Sequence, residues 1–70
     1  MKVREDYDLK KLKKLGFAYY DGDGIYFYYD GYDKLKVKSW NREVDFFLSS
    51  SASKPAMKFF KMIQDGIVEF

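Results

Sequence analysis

The sequence predicts an α+β fold, a four-stranded antiparallel β-meander with one helix before the sheet and one helix after it. Residues 17–29 consist of two aromatic-rich runs joined by two Asp-Gly pairs, which is typical of a β-hairpin. Apolar residues at helical spacing stand near both ends of the chain. We expect one domain over residues 1–70, because a smaller unit would bury too little apolar surface to offset the entropy of ordering its chain.

The N-terminal helix has a start signal, a repeat and a stop signal. It begins after an aspartate, Asp6 or Asp8, whose side chain can cap the first turn. One face repeats a leucine every three residues: Leu9, Leu12 and Leu15. Gly16 supplies the left-handed residue that ends the helix, and the lysines between the leucines form a solvated face.

The sheet follows, with predicted strands over residues 17–20, 25–29, 34–40 and 43–48. Short connections favour antiparallel pairing of neighbours. A two-residue turn at 41–42 would pair Val37 with Phe46. The same turn would pair Lys38 with Asp45, so that apolar pairs share one face and charged pairs share the other.

The second strand has large side chains on both faces, so alternation alone does not say which face is buried. An even residue count in the loop 30–33 would place Tyr26 and Tyr28 beside the apolar residues of the third strand. A bulge or an odd count would place Ile25 and Phe27 there. Because buried hydroxyls need hydrogen-bond partners, we predict that the two tyrosines lie on the outer face.

The C-terminal third predicts a connector, a helix and a docked tail. The serine-rich segment 49–53 is typical of a flexible connector, and Ser53 or Lys54 then starts a helix with Pro55 in its first turn. Apolar residues repeat at helical spacing up to Gly66: Ala56, Phe59, Phe60 and Ile63. The tail 67–70 is apolar, so we expect it either to dock on the core or to add an edge strand.

Composition excludes several kinds of chemistry. The chain has no Cys and no His, so the usual ligands of zinc, haem and iron–sulfur clusters are missing. Asp21 and Asp23 resemble part of a calcium loop, but Tyr19 occupies the place of the first ligand, and we predict a plain hairpin turn without a metal. No phosphate-binding loop or nucleophile–base pattern is present. We therefore predict that the protein is not an enzyme and has no cofactor.

The chain shows no sign of a membrane partner. No apolar run approaches the ~20 residues of a membrane span, and the charged N-terminus lacks the apolar region of a secretory signal. Cytoplasmic localisation is the expectation from these patterns.

The best prediction of function is a binding module that recognises a protein. Seven Tyr, seven Phe and one Trp are more rings than so small a core holds, so several should lie outside, where aromatic side chains are typical of interfaces. The candidate binding residues are Tyr26, Tyr28, Trp40, Lys36 and Lys38. Exposed strand edges and a thin core also favour a homodimer.

The alternative is a single-stranded nucleic-acid-binding protein. In that case Tyr26, Tyr28 and Trp40 would stack on bases. The lysines that would neutralise phosphates are Lys34, Lys36 and Lys38. Against this alternative, the three lysines alternate beside acidic residues of the next strand, which is typical of cross-strand charge pairing, and the net charge of +2 is mild. We therefore expect a protein partner rather than nucleic acid.

Three short segments resemble small uncharacterised proteins of phages and prophages of low-GC Gram-positive bacteria. They are Gly16-Phe17 after the Lys-rich helix, Asn41-Arg42-Glu43 at a turn, and Asp65-Gly66-Ile67-Val68-Glu69 near the C-terminus. The resemblance is one of layout and spans most of the chain. It implies no enzymatic activity, and it implies a small regulator or inhibitor of a host protein.

Overall fold

The computed structural model describes residues 1–70 and contains the predicted meander. The strands are β1 (Lys2–Val3), β2 (Ala18–Tyr20), β3 (Ile25–Asp30), β4 (Asp33–Lys38), β5 (Val44–Phe47) and β6 (Val68–Glu69). A 3₁₀ helix spans Leu9–Leu15, and the α-helix α1 spans Lys54–Gln64. The main sheet has the order β2-β3-β4-β5 with antiparallel neighbours, and β1 pairs with β6 in a separate two-stranded sheet. The α+β class and the four-stranded antiparallel sheet are therefore confirmed.

The N-terminal helix is a 3₁₀ helix rather than the expected α-helix. A leucine at every third position fits the three residues per turn of a 3₁₀ helix, which stacks these side chains along one line. The middle leucine, Leu12, is fully buried. The Asp8 side chain accepts a hydrogen bond from the Lys10 amide at 3.1 Å, and Gly16 ends the helix with a φ of 102°.

The two ends of the chain pair with each other. Val3 lies opposite Val68 in antiparallel register, and the Arg4 amide donates to the Ile67 carbonyl at 2.8 Å. The tail was expected either to dock on the core or to add an edge strand; it forms a strand in a separate two-stranded sheet, and Val68 packs in the core. Its partner, β1, was not predicted from the sequence, because two residues are too few to show a period.

One core joins almost every element of the structure. Its ten buried members are Val3, Leu12, Phe17, Tyr26, Leu35, Val37, Val44, Phe59, Met62 and Val68. Helix α1 packs on β3 and β4, and it is capped by Ser53, whose hydroxyl accepts from the Ala56 amide at 3.2 Å. Met62 rather than the predicted Phe60 faces the core. No helix has the length and apolar character needed to cross a bilayer.

The predicted orientation of β3 is wrong. Asp30 pairs with Asp33, so the connection is a two-residue turn, with Gly31 at a φ of 64° as its first central residue. This even count places Tyr26 opposite Val37 and keeps the tyrosine 6% exposed. Tyr28 lies on the same side, half-buried. Both tyrosines therefore face the core side of the sheet rather than the outer face.

The hydroxyl argument fails because Tyr26 buries its ring without enclosing its oxygen. The phenol makes no hydrogen bond within the chain, and the one enclosed side-chain oxygen without a partner belongs to Asp33. The Tyr26 oxygen therefore reaches solvent at the rim of the core, as a long amphipathic ring allows. Burial raises the pKa of Tyr26 above its usual value, with nearby Tyr19 and Asp8 adding to the effect.

The pairing of β4 with β5 is shifted from the predicted register by two residues. Val37 lies opposite Val44 rather than Phe46. The Lys38 amide donates to the Glu43 carbonyl at 3.0 Å, so the connection is the four-residue loop 39–42 rather than two residues. A shift of two leaves every side chain on its predicted face. Lys38 consequently still reaches Asp45, at 3.4 Å, although the two are no longer directly opposite.

Arg42 ends this loop and fastens the N-terminal segment to it. Its φ is 64°, which is unusual for a residue other than Gly, Asn or Asp. The guanidinium donates to the Arg4 carbonyl at 2.8 Å and to the Tyr7 carbonyl at 2.6 Å. The Val3 amide also donates to the Arg42 carbonyl at 2.9 Å. The side-chain bonds stabilise a backbone conformation that costs roughly 1–2 kcal/mol in a residue with a Cβ.

We expect Arg42→Ala to lower the free energy of unfolding by about 2 kcal/mol, because two carbonyls lose a charged donor. Arg42→Gly should be less damaging by roughly 1 kcal/mol, since glycine accepts the positive φ. Urea denaturation of both variants measures the difference. Equal losses in the two variants would show that the backbone of residue 42 is not strained.

We expect Tyr26→Ala to cost about 3 kcal/mol of unfolding free energy, since it empties part of the core. Tyr29→Ala makes the same chemical change on the opposite face of the same strand, at a half-exposed ring, and should cost below about 1 kcal/mol. Chemical denaturation of the two variants compares them directly. A larger loss for Tyr29→Ala would mean that the faces of β3 are assigned the wrong way round.

Candidate binding surface

One face of the main sheet has no helix over it, and we call it the outer face. Strands β2 and β3 contribute Ala18, Tyr20, Ile25, Phe27 and Tyr29. Strands β4 and β5 contribute Lys34, Lys36, Lys38, Asp45 and Phe47. These residues share a face because directly opposed residues of antiparallel strands point to the same side of the sheet. Helix α1 and the buried residues of β3 and β4 lie on the other side.

Aromatic rings form the apolar part of the outer face. The rings of Phe27 and Tyr29, two positions apart on β3, have centroids 4.9 Å apart. Tyr29 is 49% exposed, and Phe47 on the far side of β4 is 61% exposed. A row of lysines on β4 runs between these rings. The face therefore offers flat apolar surfaces on both sides of a cationic strand.

The lysines lie against the rings rather than in a network of ion pairs. The Lys34 ammonium lies 5.8 Å from the centroid of the Tyr29 ring, and the Lys36 ammonium lies 6.0 Å from it. Contacts of this kind attract the cation to the face of the ring. Lys38 alone of the three has a carboxylate within 4 Å, Asp45. Lys34 and Lys36 therefore make no ion pair, although Asp45 lies opposite Lys36 in the register of the sheet.

Two shallow hollows flank Lys36 on the outer face. The first, of about 220 Å³, is lined by Tyr20, Asp23, Ile25, Phe27, Tyr29 and Lys36. The second, of about 160 Å³, is lined by Lys34, Lys36, Asp45, Phe46 and Phe47. Both are smaller than the roughly 300–1,000 Å³ of a small-molecule pocket. Their size suits single flat groups of a larger partner.

The structure divides the five predicted site residues between three places. Lys36 and Lys38 lie on the outer face as expected. Trp40 is 63% exposed in the loop after β4, where its indole packs beside the backbone of Gly24. Tyr26 belongs to the core, and Tyr28 lies on the inner side of the sheet.

Phe27 and Tyr29 take the place that the sequence analysis gave to Tyr26 and Tyr28. Successive side chains of a strand point to opposite faces, so burying the other face of β3 moves every exposed position by one residue. The signal that identifies them is the even residue count of the turn after β3, with Gly31 at its first central position.

A third hollow, also lined by lysines, lies on the inner side of the sheet, between Tyr28 and α1. It has a volume of about 380 Å³ and is lined by Tyr28, Lys54, Met57, Lys58 and Lys61. The Lys58 ammonium lies 5.6 Å from the Tyr28 ring centroid, and Lys61 is paired with Asp65 at 3.1 Å. The enclosed carboxylate of Asp33 does not line this hollow, whose charged groups are the ends of three flexible lysines.

Asp33 is the buried carboxylate of the protein, and its surroundings are structural. It is 3% exposed, and its Oδ1 accepts from both the hydroxyl and the amide of Ser49. The Ser49 and Ser53 hydroxyls, helped by the amides of Ser49 and Ser50, lower its pKa to about 2. A carboxylate with so low a pKa is a poor general base, and none of the three hollows reaches it. Asp33 instead fastens the segment before α1 to the start of β4.

The turn between β2 and β3 has the character of a hairpin loop. The Gly24 amide donates to the Tyr20 carbonyl at 2.9 Å, and Gly24 has a φ of 66°. No group of three or more acidic side chains is arranged to hold a metal ion.

Comparison with models of known protein families, with curated proteins and with solved structures found no match. The resemblance to phage and prophage proteins therefore stays a prediction from the sequence.

We expect the protein to lose stability as the pH falls from about 4 to about 2, and Asp33 to be one cause. Folding lowers the pKa of Asp33 from 3.8 to about 2. The stability that Asp33 contributes is therefore complete above the pKa of the unfolded chain, and it is lost as the pH falls through the pKa of the folded chain. Thermal unfolding followed across this range should show a flatter pH dependence in Asp33→Asn. An identical slope in the two proteins would contradict the assignment.

Proposed function

We propose that this protein is a non-enzymatic binding module whose partner lies on the outer face of the sheet. The observation that carries the proposal is the uncovered pair of half-exposed rings, Tyr29 and Phe47, on either side of the β4 lysines. Rings left in water contribute little to folding, yet they are the side chains that dominate binding energy when a partner covers them. Large rings exposed on the same face of a sheet, around a row of cations, are typical of a surface that meets a partner.

The non-enzymatic part of the proposal rests on the chemistry within reach of the hollows. The outer-face hollows are lined by rings, lysines and the two carboxylates Asp23 and Asp45. Asp45 is engaged by Lys38, and Asp23 lies in an exposed turn. Neither carboxylate is buried, and neither is held in an enclosed site beside a candidate nucleophile. Recognition of a partner is the function that such a surface supports.

The flatness of the surface favours a macromolecular partner. A small molecule in either of the two shallow hollows would have little of its surface buried. A polymer or a protein can occupy both hollows and cover β4 between them. The outer face is also built entirely on strands, which hold the rings at fixed spacing and lower the entropy cost of recognition.

The proposal is tested with a double variant in which both Tyr29 and Phe47 are replaced by serine. The measurement is the material that the immobilised protein retains from a total cell lysate. We expect the retained macromolecules to be lost, since the two exposed rings of the outer face are gone. The matched control replaces Tyr32 and Phe70, which are each 85% exposed and lie outside this face, and it should retain them. Unchanged capture by the Tyr29/Phe47 variant would refute the proposal.

A further inference from the structure

We infer that the occupant of the outer face is a single-stranded nucleic acid, whose bases stack on the exposed rings while its phosphates meet the lysines of β4. The inference rests on the proposed function of this face and adds the chemistry of the partner. It reverses the preference for a protein that the sequence suggested, because the structure places the lysines beside different rings.

The charge of the outer face favours a nucleic acid. The outer face carries Lys34, Lys36 and Lys38 against one aspartate in its strands, and that aspartate is already paired with Lys38. The cross-strand charge pairing that weakened the nucleic-acid alternative therefore accounts for one lysine of three. Lys34 and Lys36 have no carboxylate within 4 Å. The strands of this face therefore carry more positive than negative charge, which favours a negatively charged partner.

The arrangement of rings and lysines on the outer face also favours a nucleic acid. Alternate residues of a strand are about 6.6 Å apart, so β4 presents its cations as a regular row. Tyr29 lies directly opposite Lys34, and Phe27 lies directly opposite Lys36. A cation beside a flat ring recurs at two neighbouring positions, which is the pairing that a repeating base–phosphate polymer needs.

The shape of the face excludes a duplex as the preferred form. Stacking on Phe27 and Tyr29 requires bases that are not stacked within a double helix. The face also has no projecting helix or ribbon that could enter a groove. The two hollows beside Lys36 are shallow and accept one flat ring each. An unpaired strand is the form of nucleic acid that fits them.

A second copy of this chain is a poor occupant of the same face. A two-fold dimer through it would bring Lys34 and Lys36 toward the same two lysines of the other copy. In return each copy offers Asp45, which is engaged by Lys38, and Asp23 in the exposed turn beside the face. Like charges held opposite each other disfavour such an interface.

The direct test is fluorescence anisotropy with a labelled oligothymidylate of about ten nucleotides, a length within the site size of small single-strand binders. Three lysine–phosphate contacts predict that affinity falls about 20-fold between about 50 mM and about 200 mM salt. A labelled duplex of the same length should bind more weakly at each salt concentration. Absence of binding to the single strand at low salt, with the protein folded, overturns the inference.

Variants assign the binding to the outer face. Replacing Lys34 and Lys36 with glutamine should reduce the salt-dependent fall to about 3-fold, because one contact remains. The control replaces Lys54 and Lys58 in the inner hollow and removes the same charge, so the fall of about 20-fold should remain. Loss of the salt dependence in this control rather than in the Lys34/Lys36 variant would overturn the inference.

The contribution of the Tyr29 ring is separated from that of its hydroxyl. Tyr29→Ser should weaken binding about 10-fold or more, because stacking is lost, and Tyr29→Phe should retain the affinity. Thermal unfolding of Tyr29→Ser checks that the variant is folded. Equal affinity of Tyr29→Ser and the unchanged protein would contradict stacking on this ring.

The result also separates this inference from the proposed function. Capture from a lysate that depends on Tyr29 and Phe47 but survives nuclease treatment, together with no oligothymidylate binding, would establish a protein partner and refute nucleic acid. Loss of the captured material on nuclease treatment supports the inference. Capture that does not depend on the two rings refutes both proposals.

Discussion

The two-residue turn between β3 and β4 is the constraint on which the arrangement of the sheet depends. Pairing of Asp30 with Asp33 fixes the register of the whole hairpin, and Gly31 accepts the positive φ that so tight a turn requires. With this register, Tyr26 falls beside Val37 and joins the core. One residue more or fewer in the turn would exchange the two faces of β3, and with them the core and the candidate surface.

The protein uses its many rings in two ways, and the register separates them. Rings on the inner side pack against one another and on α1, as Phe46 does on Phe59 with centroids 4.9 Å apart. Rings on the outer side have lysines among their neighbours and no helix over them, as Tyr29 has Lys34 and Lys36 beside Phe27. A chain of this size cannot bury all of its rings, so the second group is available for recognition.

Polar side chains hold the remaining segments to this sheet. Arg42 fastens the N-terminal segment to the loop after β4 through two backbone carbonyls. Asp33, at the first residue of β4, fastens the serine-rich segment that leads into α1 through Ser49. In a chain without disulfides or metal ligands, such links limit the motion of connections that would otherwise be free. They leave the outer face uncovered, because both act from the ends or the inner side of the sheet.

The sequence by itself determined the four strands of the main sheet, the two helical segments and most of their limits. Asp-Gly pairs, leucine spacing, Ser53 before Pro55 and Gly66 after the last helical turn are local signals, and local signals act within a few residues. They also place Lys36 and Lys38 on one face of β4, since strand alternation needs no partner. Only the tertiary structure decided which face of β3 is buried, that β1 pairs with β6, and that Tyr29 rather than Tyr28 meets the lysines. Those outcomes depend on pairing between distant residues and on the apolar area that a whole face buries. A strand that is apolar on both faces carries no local signal that shows which face is buried or which strand it pairs with.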